Sequence, residues 1–393
     1  MDTKAILLSI CVVFAGHVYA TDIPERGGLN FIKLAADYGY VAEQYEIVTE
    51  DGYKLQLFHI PGKGKTPVLL MHGIFDSSDT WIARGNASLA IALADRGYDV
   101  WAGNCRGNRY GRGHVSLNPD LDAEFWAFTF HEIGYYDLPA IIDTVLNHTA
   151  ADKVDAVGHS QGNTVFYVLA SARPEYNGKV NLLIALAPVC FLNNVPPPLS
   201  TVIDRSPMLY EIAKHLNLQE LFQENSVFIV TWRKLCPIPI IGYTACILGN
   251  VFPIIGYDDE EMEVDFIRTL VEYFPSGSST KNLYHFAQVA MRGQFARFDY
   301  GTEANLVVYN SSAPLEYELS AVSFKVALFV GANDGLSTLD DVAILRQRLP
   351  NVVQYLLIPR KKMNHADFLL GRNMGKYLFP YIIDALEKNE GIL

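Results

Sequence analysis

The chain has 393 residues, of which 50% are hydrophobic, 12% aromatic and only 19% charged, with a formal net charge of −12. Such a composition supports a large buried core and excludes bulk disorder. The acidic balance and the lack of any basic block exclude nucleic acid as a partner, because phosphate binding needs a concentrated positive face.

The N-terminal stretch MDTKAILLSICVVFAGHVYATD holds one lysine, an apolar run from Ala5 to Phe14, and small residues up to Ala20. This is the pattern of a secretory signal peptide over residues 1–20, too short in its apolar part to span a bilayer. Residues 21–190 are expected to form the first part of a catalytic core. Tyr45 to Val48 and Lys54 to Phe58 alternate around Glu50-Asp51-Gly52 and predict a β-hairpin. Short continuous apolar runs follow at 68–71, 98–102, 154–157, 182–186, 326–330 and 353–358. Helix-like periodicity falls between them, at 86–96, 137–147, 163–172, 339–347 and 375–387. Continuous runs belong to strands covered on both faces, so the alternation predicts a mostly parallel, doubly wound α/β sheet.

Residues 191–303 break that rhythm with Pro196-Pro197-Pro198, many aromatics and helical patterns. They are expected to form an inserted, mainly helical cap and lid, after which 304–393 complete the core. Beyond the signal segment the cysteines are Cys105, Cys190, Cys236 and Cys246. Cys236 and Cys246 enclose PIPIIGYTA and suit a local disulfide in an oxidising compartment, and no CxxC or nearby histidine pair argues for zinc. Asn86, Asn147 and Asn310 head NxS/T triplets and are candidate glycosylation sites.

The chemistry centres on Ala156-Val157-Gly158-His159-Ser160-Gln161-Gly162. A serine fenced by glycines directly after an apolar run marks a sharp strand-to-helix turn that exposes its hydroxyl, the nucleophile elbow. A serine nucleophile needs a histidine base, and the base needs a carboxylate to fix its tautomer. Asp334, in GANDG after the run 326–330, and His365, in NHADF before the last helix, supply them in chain order. The neighbouring His159 is expected to serve packing or a polar network. Two N–H donors must face the developing oxyanion, and the candidates are Gln161 after the serine and Ile74 in His72-Gly73-Ile74.

With HGIFDSS, NCRGNRYGRGH, FWAFTFHEIGYYDLPAIID, VGHSQGNT, FARFDYG, GANDGLS and NHADFLLG in one order, the chain resembles the acid lipase family, which includes gastric, lysosomal and insect members. The resemblance spans about residues 43–379 and implies an α/β-hydrolase fold with a cap and lid, and hydrolysis of triacylglycerols or sterol esters without cofactor. It implies Ser160, Asp334 and His365 as the triad, Ile74 and Gln161 as the oxyanion hole, and Cys236 with Cys246 as a cap disulfide. The implied partners are a lipid ester and the lipid–water interface, with no stable transmembrane anchor, and the implied location is extracellular or lysosomal. Competing readings are a soluble carboxylesterase for smaller esters and an inactive lipid-binding relative. The chain departs from the family pattern at Ala127, where aspartate is usual, at Phe130, where tryptophan is usual, and at Cys105 and Ala366.

Overall fold

The computed structural model describes residues 30–63 and 66–391. The expected signal peptide lies outside them. The strands are β1 (Glu43–Val48), β2 (Tyr53–Ile60), β3 (Pro67–Met71), β4 (Asp99–Gly103), β5 (Gly113–His114), β6 (Val154–His159), β7 (Val180–Leu186), β8 (Glu220–Leu221), β9 (Ser278–Ser279), β10 (Lys325–Val330) and β11 (Val352–Leu357). A nine-stranded sheet runs β1-β2-β4-β3-β6-β7-β10-β11, with β5 beside β2. β1 and β2 pair antiparallel, as do β2 and β4, while every pairing from β4 through β11 is parallel. This is the mostly parallel, doubly wound α/β sheet predicted from the alternating runs, and it agrees with the α/β-hydrolase fold that the resemblance implies.

The apolar runs form the centre of the sheet because both of their faces are covered. Every residue of β3 and β6 is buried. Successive side chains enter opposite layers: Leu69, Met71, Leu183, Ala185 and Leu328 pack in one hydrophobic cluster. Val68, Leu70, Leu182, Ile184 and Phe329 pack in the other. Helices Leu138–Thr149, Gln161–Ala172 and Leu339–Arg348 close the first layer. Helices Phe31–Asp37, Leu89–Ala94 and Phe379–Asn389 close the second.

Two helix expectations need correction. The helix expected over 86–96 is a 3-10 turn at Gly85–Ala87 followed by a helix only from Leu89 to Ala94. The extended Ser88, at φ −88° and ψ 148°, separates them. The helix expected over 375–387 is divided into Met374–Tyr377 and Phe379–Asn389. Pro380 sits in the first turn of the second piece, where a missing N–H costs nothing and a fixed φ suits the helix start.

Between β7 and β10 the chain forms helices Leu199–His215, Val227–Leu235, Ile267–Tyr273 and Thr280–Arg292, and the short antiparallel ribbon β8-β9. Helix Thr302–Tyr309 runs across residue 303. Cys236 and Cys246 are joined by a disulfide, whereas Cys105 and Cys190 are free and buried. Among the described residues, no helix is long and apolar enough to cross a membrane.

Candidate active site

β6 ends at His159, and the helix Gln161–Ala172 begins one residue beyond Ser160. Ser160 therefore carries the whole reversal, at φ 53° and ψ −120°, a conformation that L-residues with a Cβ rarely adopt. The glycines of the motif are required by space. A Cβ on Gly162 would lie 2.1 Å from the Met71 carbonyl oxygen, and one on Gly158 would lie 2.4 Å from Asn163 Oδ1. The turn is tied to β7 by Ser160 N–H and Asn163 Nδ2, both donating to the Leu186 carbonyl at 3.2 and 2.9 Å.

Asp334 lies in the turn after β10 and His365 in the loop after β11, and the sheet brings them together. His365 Nδ1 is 3.0 Å from Asp334 Oδ1 and 2.9 Å from Oδ2. The Asp334 side chain is shut off from solvent, and its Oδ1 also accepts from Leu336 N–H at 2.8 Å and Ser337 N–H at 2.7 Å. A buried carboxylate held by three donors is a fixed anchor for the imidazole. His365 reaches the elbow through its own main chain, since His159 Nε2 donates to the His365 carbonyl at 2.9 Å. Burial pushes the His159 pKa down to about 3, so that ring is neutral and belongs to a polar network, as expected for a residue adjoining the serine.

The loop after β3 passes directly over Ser160. A Cβ on Gly73 would come within 3.2 Å of the Ser160 Cβ. Ile74 follows Gly73, so the Gly73–Ile74 peptide borders the serine. Gln161 opens its helix, and its N–H is among the first four that lack an intrahelical acceptor. Its side chain is held from the segment before β10, with Asn282 Nδ2 donating to Gln161 Oε1 at 2.8 Å.

His72 is a site residue that motif reading overlooked. Its Nε2 lies 3.1 Å from the Cys105 N–H, which can only donate, and 3.1 Å from Asn108 Nδ2. Nε2 is therefore the acceptor, and Nδ1–H donates to the Gly73 carbonyl at 2.7 Å. That carbonyl belongs to the same peptide as Ile74 N–H, so His72 orients the candidate oxyanion donor. Burial lowers the His72 pKa to about 4, which keeps this tautomer neutral. The NCRGN segment is the scaffold behind it: Asn104 Oδ1 accepts from Ser78 N–H and from Asn108 Nδ2, each at 2.9 Å. The buried Arg106 guanidinium bridges Asp51 and Asp137 at 2.6 Å each. The signal for His72 was the HG dipeptide itself, a donor-acceptor side chain directly before the oxyanion loop.

The departures from the family pattern are accommodated by packing. Phe130 stacks on the buried His285 with ring centroids 3.8 Å apart. Ala127 is exposed, its N–H donating to the Glu124 carbonyl at 3.1 Å and its carbonyl accepting from Lys281 Nζ at 3.0 Å. Cys105 is enclosed, and burial holds its thiol well above the ordinary range. Among the described residues no group of three or more His, Cys, Asp or Glu is arranged to hold a metal ion. Asn86, Asn147 and Asn310 are all exposed.

Comparison with known proteins agrees with this architecture. Residues 31–85 match the partial α/β-hydrolase lipase region, and residues 66–210 match the α/β hydrolase fold. Lipase 1 of Drosophila melanogaster is 37% identical over 93% of this chain and 82% of that protein. The gastric triacylglycerol lipase of Rattus norvegicus is 34% identical over 93% of each chain. Among solved structures, an esterase from Exiguobacterium antarcticum shares the fold at a TM-score of 0.51 and 13% identity, covering 88% of this chain and 100% of its own. The chain belongs to the acid lipase family of α/β-hydrolases.

Proposed function

We propose that the protein hydrolyses carboxylic esters of lipids, triacylglycerols or sterol esters, through an acyl-enzyme on Ser160. The reading rests above all on the buried His365–Asp334 pair at 2.9 Å, bonded through His159 to a serine on a strained elbow. His365 Nε2 takes the hydroxyl proton as Ser160 Oγ attacks the ester carbonyl, and Asp334 stabilises the imidazolium so formed. Ile74 N–H and Gln161 N–H receive the oxyanion. As the tetrahedral intermediate collapses, the C–O bond to the alcohol breaks and His365 returns the proton to the leaving oxygen. Water then attacks the acyl-enzyme by the same route, releasing a fatty acid and regenerating Ser160. No step calls for a cofactor.

Residues 191–303 are the cap and lid in this reading, and exposed Leu235, Ile238, Ile240 and Ile241 around the disulfide suit contact with a lipid–water interface. The disulfide, the expected signal peptide and the exposed Asn86, Asn147 and Asn310 support passage through the secretory pathway to an extracellular or lysosomal site. The rat relative's name, gastric triacylglycerol lipase, supports an acylglycerol as substrate.

The test compares an emulsified long-chain triacylglycerol with a monomeric short-chain ester. Fatty-acid release from the emulsion is expected. Turnover of the monomeric ester alone makes the protein a soluble carboxylesterase, and turnover of neither makes it a lipid-binding relative.

A further inference from the structure

Beyond β10 and β11 the sheet no longer supports the loops that carry Asp334 and His365. The last bond of the ladder is Ile358 N–H to the Val330 carbonyl, at 3.0 Å. A third stretch of chain, Ile255-Gly256-Tyr257, lies across both loops, and each of its carbonyls is engaged by one or both of them. The Ile255 oxygen accepts the N–H of Gly335 at 3.2 Å and of His365 at 3.1 Å. The Gly256 oxygen accepts Asn364 Nδ2 at 3.1 Å, and the Tyr257 oxygen accepts Asn333 Nδ2 at 2.7 Å. Asn333 also joins the loops directly, its N–H to the Met363 carbonyl at 3.0 Å and its Nδ2 to the Lys362 carbonyl at 3.2 Å. The fit is close enough to require glycine: at Gly256, φ is +100° and a Cβ would lie 1.8 Å from the Asn333 carbonyl oxygen. Just downstream, Arg360 pairs with Asp258, and Lys362 pairs with Asp259 at 3.2 Å and Glu260 at 2.8 Å.

We propose that Asn333 and Asn364, each immediately before a triad residue, are positioning residues that set the Asp334–His365 geometry by fastening both loops to the strap 255–257. The inference rests on the assignment of Asp334 and His365 as acid and base. Asn333 restrains the acid loop and Asn364 the base loop, and the Ile255 carbonyl ties the two. Neither asparagine touches the reacting atoms, so both act on kcat through the pair.

A double-mutant cycle separates this role from general support of the fold, since residues acting through one another are non-additive. Asn333→Ala is expected to lower kcat about tenfold with KM nearly unchanged, because small misplacements of catalytic groups carry penalties of that order. In an Asp334→Asn background the same change is expected to alter kcat less than about twofold, as no acid is left to position. Asn364→Asp provides an independent cycle. It keeps the Oδ1 that accepts from Ala366 N–H at 2.9 Å and Asp367 N–H at 3.0 Å, but loses the donor to Gly256. An equal loss in both backgrounds, or no loss in either cycle, overturns the proposal while leaving the triad standing. Full activity of Asp334→Asn alone overturns the triad assignment instead.

Discussion

His159 Nε2 donates to the main-chain carbonyl of His365 at 2.9 Å, so the residue before the candidate nucleophile holds the candidate base. Because the carbonyl can only accept, the proton sits on Nε2, and the buried Nδ1 is left without a partner. Protonating that ring would bury an unpaired charge, which is why its pKa falls to about 3. His159→Leu removes the donor and is expected to lower kcat several-fold, whereas His159→Gln, which can still donate, restores most of it. Steady-state kinetics on one soluble ester reads both variants. Equal loss in the two would reduce the role of His159 to filling space.

His72 offers a second test, at the oxyanion side. Its Nδ1–H bond to Gly73 fixes the peptide that carries Ile74 N–H. His72→Phe keeps bulk but loses that bond, and kcat is expected to fall about a hundredfold, the scale of a lost oxyanion donor. KM should change little, since the donor acts on the transition state. A variant that binds and turns over substrate normally would mean that Ile74 is held by the loop alone.

The elbow stores strain that can be measured without substrate. At φ 53° and ψ −120°, Ser160 costs about 1–3 kcal/mol relative to a relaxed backbone. Glycine relieves it and alanine does not. Ser160→Gly is therefore expected to be more stable than Ser160→Ala by about 1 kcal/mol, even though glycine adds chain entropy to the unfolded state. Denaturant midpoints at unchanged m-value give the comparison. A glycine variant no more stable than the alanine variant would show that the turn is unstrained.

Asp155 provides a pH-dependent prediction away from the site. It lies within β6 near the start of the strand, accepting from Asn181 Nδ2 at 3.0 Å and Asn389 Nδ2 at 2.9 Å. Burial is the main force raising its pKa from 3.8 to about 7. The folded state thus holds this proton more tightly than the unfolded chain does. Its contribution is fully present below the unfolded value of 3.8 and is lost as pH rises through about 7. Asp155→Asn escapes that loss, so its stability relative to wild type should increase between about pH 4 and about pH 8. Chemical denaturation at both values reads the difference, and a pH-independent difference would place Asp155 in an ionised native state.

The parts of the fold that were legible in the sequence are those with a repeating physical demand. Runs such as Val68–Met71 and Val326–Val330 are apolar throughout because both sheet faces are covered, and they lie in β3 and β10. The two-residue strands β5, β8 and β9 carry no period and left no signal. The helix break at Ser88 was hidden for a related reason, since a single extended residue does not interrupt an apolar pattern. In the candidate site, Ser160, Asp334 and His365 were singled out by motif and order. The bonds of His72 to Gly73 and of Asn333 and Asn364 to the strap join segments that no local pattern connects. The repetition of asparagine before both Asp334 and His365 was visible, but its meaning depends on a segment nearly eighty residues before the first of them.

We propose Ser160 as the nucleophile of a lipid ester hydrolase. The most direct measurement treats wild type and Ser160→Ala with a fluorescent fluorophosphonate, maps the modified peptide by mass spectrometry, and follows fatty-acid release from an emulsified long-chain triacylglycerol. A single adduct on Ser160 is expected in wild type, with labelling and release both absent from Ser160→Ala. Fatty-acid release that persists in Ser160→Ala, or an adduct on another residue, would contradict it.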